Sequence, residues 1–248
     1  MVHHNRFDFI FPLLVFPDIM SGLIEAADRH DVNFVYALSP GIDVVYSSAA
    51  DMNCLKRKFD QIQGIGCRAF ALLFDDIKNE LPDADRDHYQ SLAVAQAMVT
   101  NEIFEHLQLP RIFLFCPTEY CTSRARPNIT ESQYLQTIGS KLLPSIEIMW
   151  TGPKVVSRKI SIRSVEELAE VLKRPPLIWD NIHANDYDYS RMFLGPFEGR
   201  SSELRPYVRG ILTNPNCEFE ANFVAFHTLS QWTKCSKDAV KKDIILSK

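Results

Sequence analysis

The sequence predicts an α/β fold with a parallel sheet, a TIM-type (β/α)8 barrel two strands short of closure. Three observations carry this. Six short apolar runs alternate with six amphipathic segments. The runs are continuous rather than alternating, as strands buried on both faces should be. The length, 248 residues, is that of a single α/β barrel, about 250 residues.

The apolar runs are 33–38 (NFVYAL), 69–74 (AFALLF), 111–116 (RIFLFC), 146–150 (IEIMW), 176–179 (PLIW) and 210–212 (GIL). Helices are expected over 21–30, from Leu23, Ile24 and Ala27, and over 51–62, from Leu55, Phe59 and Ile62. The longest is expected over 83–107, opening on Asp and Pro signals and ending before Pro110. An Asn-Ile-Thr start suggests a helix over 130–143. Ser164 and Glu167 have capping-box spacing, which predicts a helix over 164–173. The last is expected over 219–232. Strand–helix alternation implies right-handed βαβ units. A closed barrel needs eight strands; residues 7–16 could supply an irregular one, although Pro12 and Pro17 weaken it.

Composition narrows the function. Apolar residues are 46% and charged residues 23%, an ordinary globular balance that excludes a disordered chain. The net charge of −4, from 27 Lys and Arg against 31 Asp and Glu, gives no sign of a nucleic-acid or membrane-surface binder. The six cysteines lack CxxC spacing, so they fit reduced thiols in a cytoplasmic or nuclear protein better than a disulfide framework or zinc site. No apolar run has the roughly 18 residues of a spanning helix, and residues 7–16 make a poor secretory signal.

In a parallel α/β fold the site gathers at the C-terminal strand ends. The residues there are acids, amides, aromatics and hydroxyls, which suit a neutral polyhydroxylated ligand better than a phosphate. Asp75 and Asp76 leave a buried run together. Like charges this close raise one pKa, as a general acid requires; the plainer reading is one capping and one solvated carboxylate. In 179–187 (WDNIHANDY), Asp180, His183 and Asp186 could ligate a metal, but no second His stands at i,i+4. Asn181 and Asn185 could hydrogen-bond a sugar, or the stretch could be an Asx-rich turn. Tyr120 could donate into the site or merely pack, and 213–216 (TNPN) reads as a turn. Cys116 could be a nucleophile or a buried wall. There is no GxSxG elbow and no glycine-rich phosphate loop.

Together ALLFDDI (71–77), FLFCPTEYC (113–121), WTGPKVVS (150–157), IWDNIHANDYD (178–188), LGPFEGR (194–200) and LTNPNCEFEAN (212–222) resemble the catalytic domain of glycoside hydrolase family 84, most nearly its animal members. The resemblance runs from about 21 to 234 and covers strands 3 to 8 of the family's barrel. It implies a partial barrel domain over 21–234, between an unmatched segment (1–20) and a basic tail (235–248). The family's first two strands, with their glycine-bearing and lysine-bearing loops, are expected to be missing or replaced. So is its helical dimerisation stalk. The family's loop after Tyr120 is aromatic; here it reads Thr122-Ser123-Arg124-Ala125-Arg126.

The resemblance implies removal of β-linked N-acetylglucosamine from Ser and Thr of nuclear and cytoplasmic proteins, with retention. The sugar's own acetamide is the nucleophile, an exception to the two-carboxylate scheme, and no metal or organic cofactor is used. By resemblance, Asp75 holds the acetamide N–H and Asp76 is the general acid and then base. Tyr120 bonds near the acetamide carbonyl, and Asn181 fixes Asp75 and the acetamide. Trp179, Cys116, Thr151 and Val155 wall the acetyl methyl. Asp186 and Asn214 bind hydroxyls, with Tyr187 lining the same pocket. The alternative is an inactive truncated paralogue, splice form or incomplete gene product that retains at most glycan binding.

Overall fold

The computed structural model describes residues 17–238, apart from 76, 109 and 189. The predicted strand over 7–16 and most of the basic tail lie outside the described residues. Six parallel strands stand in chain order, so each βαβ unit adds one neighbour. They are β1 (Val35–Leu38), β2 (Ala69–Leu73), β3 (Ile112–Cys116), β4 (Glu147–Trp150), β5 (Leu177–Asp180) and β6 (Gly210–Thr213). The helices are α1 (Pro17–Arg29), α2 (Ala49–Gly64), α3 (Leu92–His106), α4 (Gln133–Lys141), α5 (Ile162–Leu172) and α6 (Phe223–Lys234). The sheet curls into part of a barrel. Among the described residues neither β1 nor β6 has a further strand partner.

Side chains alternate along each strand, and that alternation divides the core. Phe70, Leu72, Phe113, Phe115, Ile148, Trp150 and Ile178 face the helices and join the larger cluster, with Phe59 at its centre, 5.6 Å from Phe70 and 6.3 Å from Phe113 between ring centroids. Ala71, Leu114, Cys116, Met149 and Leu177 form a second cluster on the inner face, joined by the part-buried Val35, Leu73 and Trp179. The inner face continues upward into the site.

All six predicted helices begin elsewhere than expected: α1 starts four residues earlier and α2 two earlier, the segment from 219 opens as a 3-10 turn (Phe219–Asn222) before α6, and the other three shifts have a local cause. The segment 83–107 divides into a 3-10 turn, Asp83–Asp85, and α3. The buried Asp85 accepts from the N–H groups of Tyr46 (2.9 Å) and Ser47 (2.7 Å), which spends its carboxylate on the preceding loop, and Ser91 caps α3 instead. Asn128 caps only a turn, accepting from Glu131 N–H at 2.9 Å; Ser132 starts α4. The capping box Ser164–Glu167 does not form. Ser161 is the cap, accepting from Ser164 N–H at 3.2 Å, so α5 starts a turn earlier.

Candidate functional site

A cavity of about 190 Å³ opens at the C-terminal strand ends. That is smaller than drug-sized sites of about 300–1,000 Å³, so it suits one small ligand. Its lining is Asp75 after β2; Cys116 and Tyr120 at the end of β3; Thr151, Val155 and Val156 after β4; Trp179, Asn181, Ala184, Asp186 and Tyr187 from β5 and its loop; and Asn214 after β6. Ten of the eleven residues that the family resemblance assigned to the site therefore meet in one place. The eleventh, Asp76, lies outside the described residues.

Burial grades from floor to mouth. Cys116, Tyr120, Thr151, Asn181 and Ala184 are buried, Asp75, Trp179 and Asn214 are half-buried, and Val155, Asp186 and Tyr187 are exposed. Two amides organise one wall. Asn214 Nδ2 donates to Asn181 Oδ1 at 3.1 Å, and Asn181 Nδ2 donates to the Val155 carbonyl at 2.8 Å. Asn214 N–H also donates to the Asp180 carbonyl at 2.8 Å, which joins the loop after β6 to β5. Thr151 donates its backbone N–H to the Tyr120 carbonyl (2.9 Å) and its hydroxyl to the Lys154 carbonyl (2.8 Å), linking the loops after β3 and β4. Gly152, at φ +99°, lies where a Cβ would meet Ser157 Oγ at 2.7 Å, so the turn carrying Val155 needs a glycine.

The layer beneath is polar and internally satisfied. Thr118 donates to the Phe74 carbonyl at 2.8 Å and accepts from Gln96 Nε2 at 2.9 Å. Tyr134 accepts from Thr118 N–H and donates to Gln96 Oε1. Burial pushes the Tyr134 phenol well above its ordinary range, so it stays a donor. Tyr46, buried and close to Asp85, is pushed up to about 12. Glu119 accepts from Ser132 Oγ at 2.6 Å, and burial raises its carboxyl above the usual range despite that bond and the nearby Arg126 charge.

The metal-ligand reading of Asp180, His183 and Asp186 is corrected. The Asp180 carboxylate belongs to Arg200: Nε donates at 2.5 Å and Nη2 at 2.8 Å, with both side chains fully buried. His183 is buried, bonds the Gly195 carbonyl at 3.0 Å and stacks on Phe197. Among the described residues no three His, Cys, Asp or Glu side chains gather as a metal site. Asn185 is also not a cavity residue. It is fully buried, donating to the Arg191 carbonyl and Glu218 and accepting from Cys217 N–H, because it closes the β5 loop. The turn at 213–216 has more structure than its sequence signals: Asn216 and Asn222 bond reciprocally.

Sequence reasoning missed Val156, Ala184 and the Arg200 clamp. A carboxylate at the end of a buried strand needs a cationic or hydrogen-bonding partner, so Asp180 did imply one. Nothing in the spacing identified it as Arg200.

A beta-N-acetylglucosaminidase family model matches residues 16–245. Protein O-GlcNAcase of Mus musculus is 54% identical over 225 residues, covering 91% of this chain and 25% of the relative. The Rattus norvegicus protein of the same name gives 54% over 225 residues, with the same coverage. The chain thus spans a quarter of the length of these curated relatives. Among solved structures, a point mutant of the Thermobaculum terrenum O-GlcNAc hydrolase is similar at a TM-score of 0.81 and 32% identity, over 87% of this chain and 46% of that one. CpGH84B is similar at a TM-score of 0.79 and 28% identity, over 90% of this chain and 39% of that one.

Proposed function

Because this chain belongs to the beta-N-acetylglucosaminidase family, glycoside hydrolase family 84, we propose that it removes β-linked N-acetylglucosamine from Ser and Thr of proteins in the cytoplasm and nucleus. The observation that supports this reading is the convergence on one small cavity of ten residues that the family resemblance assigned to the site. Neutral amides, aromatic faces and two carboxylates are a lining suited to a neutral N-acetyl sugar.

The reaction we propose is substrate-assisted. The acetamide oxygen of the sugar attacks the anomeric carbon as the bond to the leaving oxygen breaks, forming an oxazoline. Asp75 accepts the acetamide N–H, which sharpens the nucleophile. Asp76, assigned from its adjacency in sequence, gives its proton to the leaving oxygen. It then takes a proton from water as the water opens the oxazoline, restoring the sugar with retained configuration. Tyr120 bonds near the acetamide carbonyl, and Asn181 supports Asp75 and the acetamide. Trp179, Cys116, Thr151 and Val155 enclose the acetyl methyl. Asp186 and Asn214 hold hydroxyls, and Tyr187 covers the sugar. The free cysteines of the described residues accord with a reducing compartment.

A second reading, glycan binding without turnover, is favoured by the six-stranded sheet, whose edges β1 and β6 lack a further strand partner among the described residues. Hydrolysis of an aryl β-N-acetylglucosaminide by this 248-residue chain, with the Asp75→Asn/Asp76→Asn variant as control, separates the two. Turnover lost in the control supports the hydrolase. Sugar binding without turnover supports the second reading. In an active chain, Asp76→Asn is expected to slow poor leaving groups more than activated aryl ones, since only the former need protonation. Equal losses on both would exclude Asp76 as the acid.

A further inference from the structure

The loop after β3 carries a charge that stacks on a cavity-lining residue. Arg124 holds its guanidinium carbon 4.7 Å from the centroid of the Tyr120 ring, and Tyr120 lines the cavity. Arg124 is itself exposed. Its backbone is fixed. Arg124 N–H and Ala125 N–H donate to the Cys121 carbonyl at 2.9 and 3.1 Å, while Thr122 and Ser123 N–H donate to the carbonyls of Gly152 and Pro153, both at 3.0 Å. Cys121 and Ala125 are buried and anchor the turn.

This lacing brings Lys154, exposed at the next residue of the facing loop, to the same flank. Lys154 is held through its backbone by Ser157 Oγ, at 3.0 Å from its nitrogen, and by the Thr151 hydroxyl. Its neighbour Val155 lines the cavity. Neither Arg124 nor Lys154 forms an ion pair among the described residues. The other flank, the β5 loop, carries exposed Asp186. Arg124 and Lys154 thus stand on the β3–β4 side, while Asp75 and Asp186 line the cavity from the loops after β2 and β5, the latter also carrying the exposed Arg191 stacked on Phe193. An arginine already stacked on an aromatic face loses little freedom on gaining a carboxylate partner.

We propose that Arg124, assisted by Lys154, makes the mouth select protein substrates with an Asp or Glu beside the glycosylated Ser or Thr. This rests on the glycosidase reading above. Arg124 acts on the peptide and not on the sugar chemistry.

The test measures binding, so it does not depend on turnover. Three peptides carrying S-linked N-acetylglucosamine, which resists hydrolysis, differ only in an acidic, neutral or basic flanking residue. Their affinities are measured calorimetrically, with a methyl thioglycoside of N-acetylglucosamine as the bare-sugar probe. The acidic peptide is expected to bind about three- to fivefold tighter than the neutral one at low ionic strength, the range of an exposed charge pair. The preference should shrink at high salt, where the screening length falls to about 3 Å at 1 M. It should invert in Arg124→Glu and survive in weakened form in Arg124→Lys. Equal affinities for acidic and neutral peptides, with the bare sugar bound, would overturn the proposal and leave the glycosidase reading standing. An acidic preference unchanged in Arg124→Glu would also overturn it. Failure of the bare sugar to bind would sink the glycosidase reading itself, and the proposal with it.

Discussion

Replacing Arg200 by Met tests whether the buried clamp beneath the site determines its order. Arg200 donates twice to Asp180, and also to the carbonyls of Ser157 (2.6 Å), Arg158 (3.1 Å) and Glu198 (3.1 Å). Both members of the pair are fully buried. Without the guanidinium, Asp180 keeps only the Ile182 N–H, at 3.1 Å, among its described donors. Removing one partner of a buried pair costs about 3–5 kcal/mol, because a buried charge is left uncompensated. Two of the three abandoned carbonyls belong to exposed residues, Arg158 and Glu198, where water can replace the guanidinium, so they add little. We expect a loss of about 4 kcal/mol, a large share of a typical 5–15 kcal/mol stability. Urea unfolding reads it as a lower midpoint at unchanged slope. Adding Asp180→Asn removes the orphaned charge and should recover about 2 kcal/mol. A loss below about 1 kcal/mol in Arg200→Met, or no recovery in the double variant, would refute the reasoning.

Two further changes test other parts of the fold. At Gly139, where α4 meets α5, an added Cβ would lie 2.4 Å from the Val171 carbonyl and 2.7 Å from Leu172 Cα. Alanine normally favours a helix over glycine by about 1 kcal/mol; here Gly139→Ala should instead lower stability by about 1–3 kcal/mol, and a raised melting temperature would show that the helices can part at no cost. Glu119 has a carboxyl pKa raised by burial, so its protonated form stabilises the fold fully below the ordinary carboxylate range, and that contribution is lost as pH rises through the raised value. Glu119→Gln cannot lose a proton, so its stability relative to the unmodified chain should improve from about pH 4 to about pH 7, and a pH-independent difference in denaturant midpoints would count against the burial argument.

Much of this molecule was legible because its signals are local and repeated. Continuous apolar runs marked all six strands; β2 to β5 are buried along most of their length and have no polar side to alternate, while β1 and β6 are only part-buried. The rule that parallel sheets present their sites at C-terminal strand ends then led to Asp75, Tyr120, Asn181 and Asn214. The helix starts were harder. Ser161, Ser132 and Ser91 cap three helices, yet each lies near other residues that could cap equally well, and only tertiary contacts decide. Asp180 and Asn185 stood in the same stretch as true cavity residues and had the same chemical types. What separates them from Asn181 and Asp186 is burial against Arg200 and Glu218, residues twenty or more positions away, which no local pattern contains.

The same buried polar contacts bear on how the six described strands hold a formed cavity. The loops after β2 to β6 are fixed by bonds within a loop or to its neighbour: Thr118 to Phe74, Glu119 to Ser132, Thr151 to Lys154, Asp180 to Arg200, and Asn216 to Asn222. None of these runs from one sheet edge to the other. The edge strand β1 gives the cavity no residue, while β6 gives Asn214, which is tied to β5 through both its backbone and its side chain. Order at the rim therefore follows from adjacent clamps and not from closure of the sheet. An unpaired edge carries a different cost, a row of backbone donors and acceptors available to another chain. Among the described residues β1 and β6 are the two strands that offer such an edge, and the cavity, built from adjacent clamps, does not depend on either being covered.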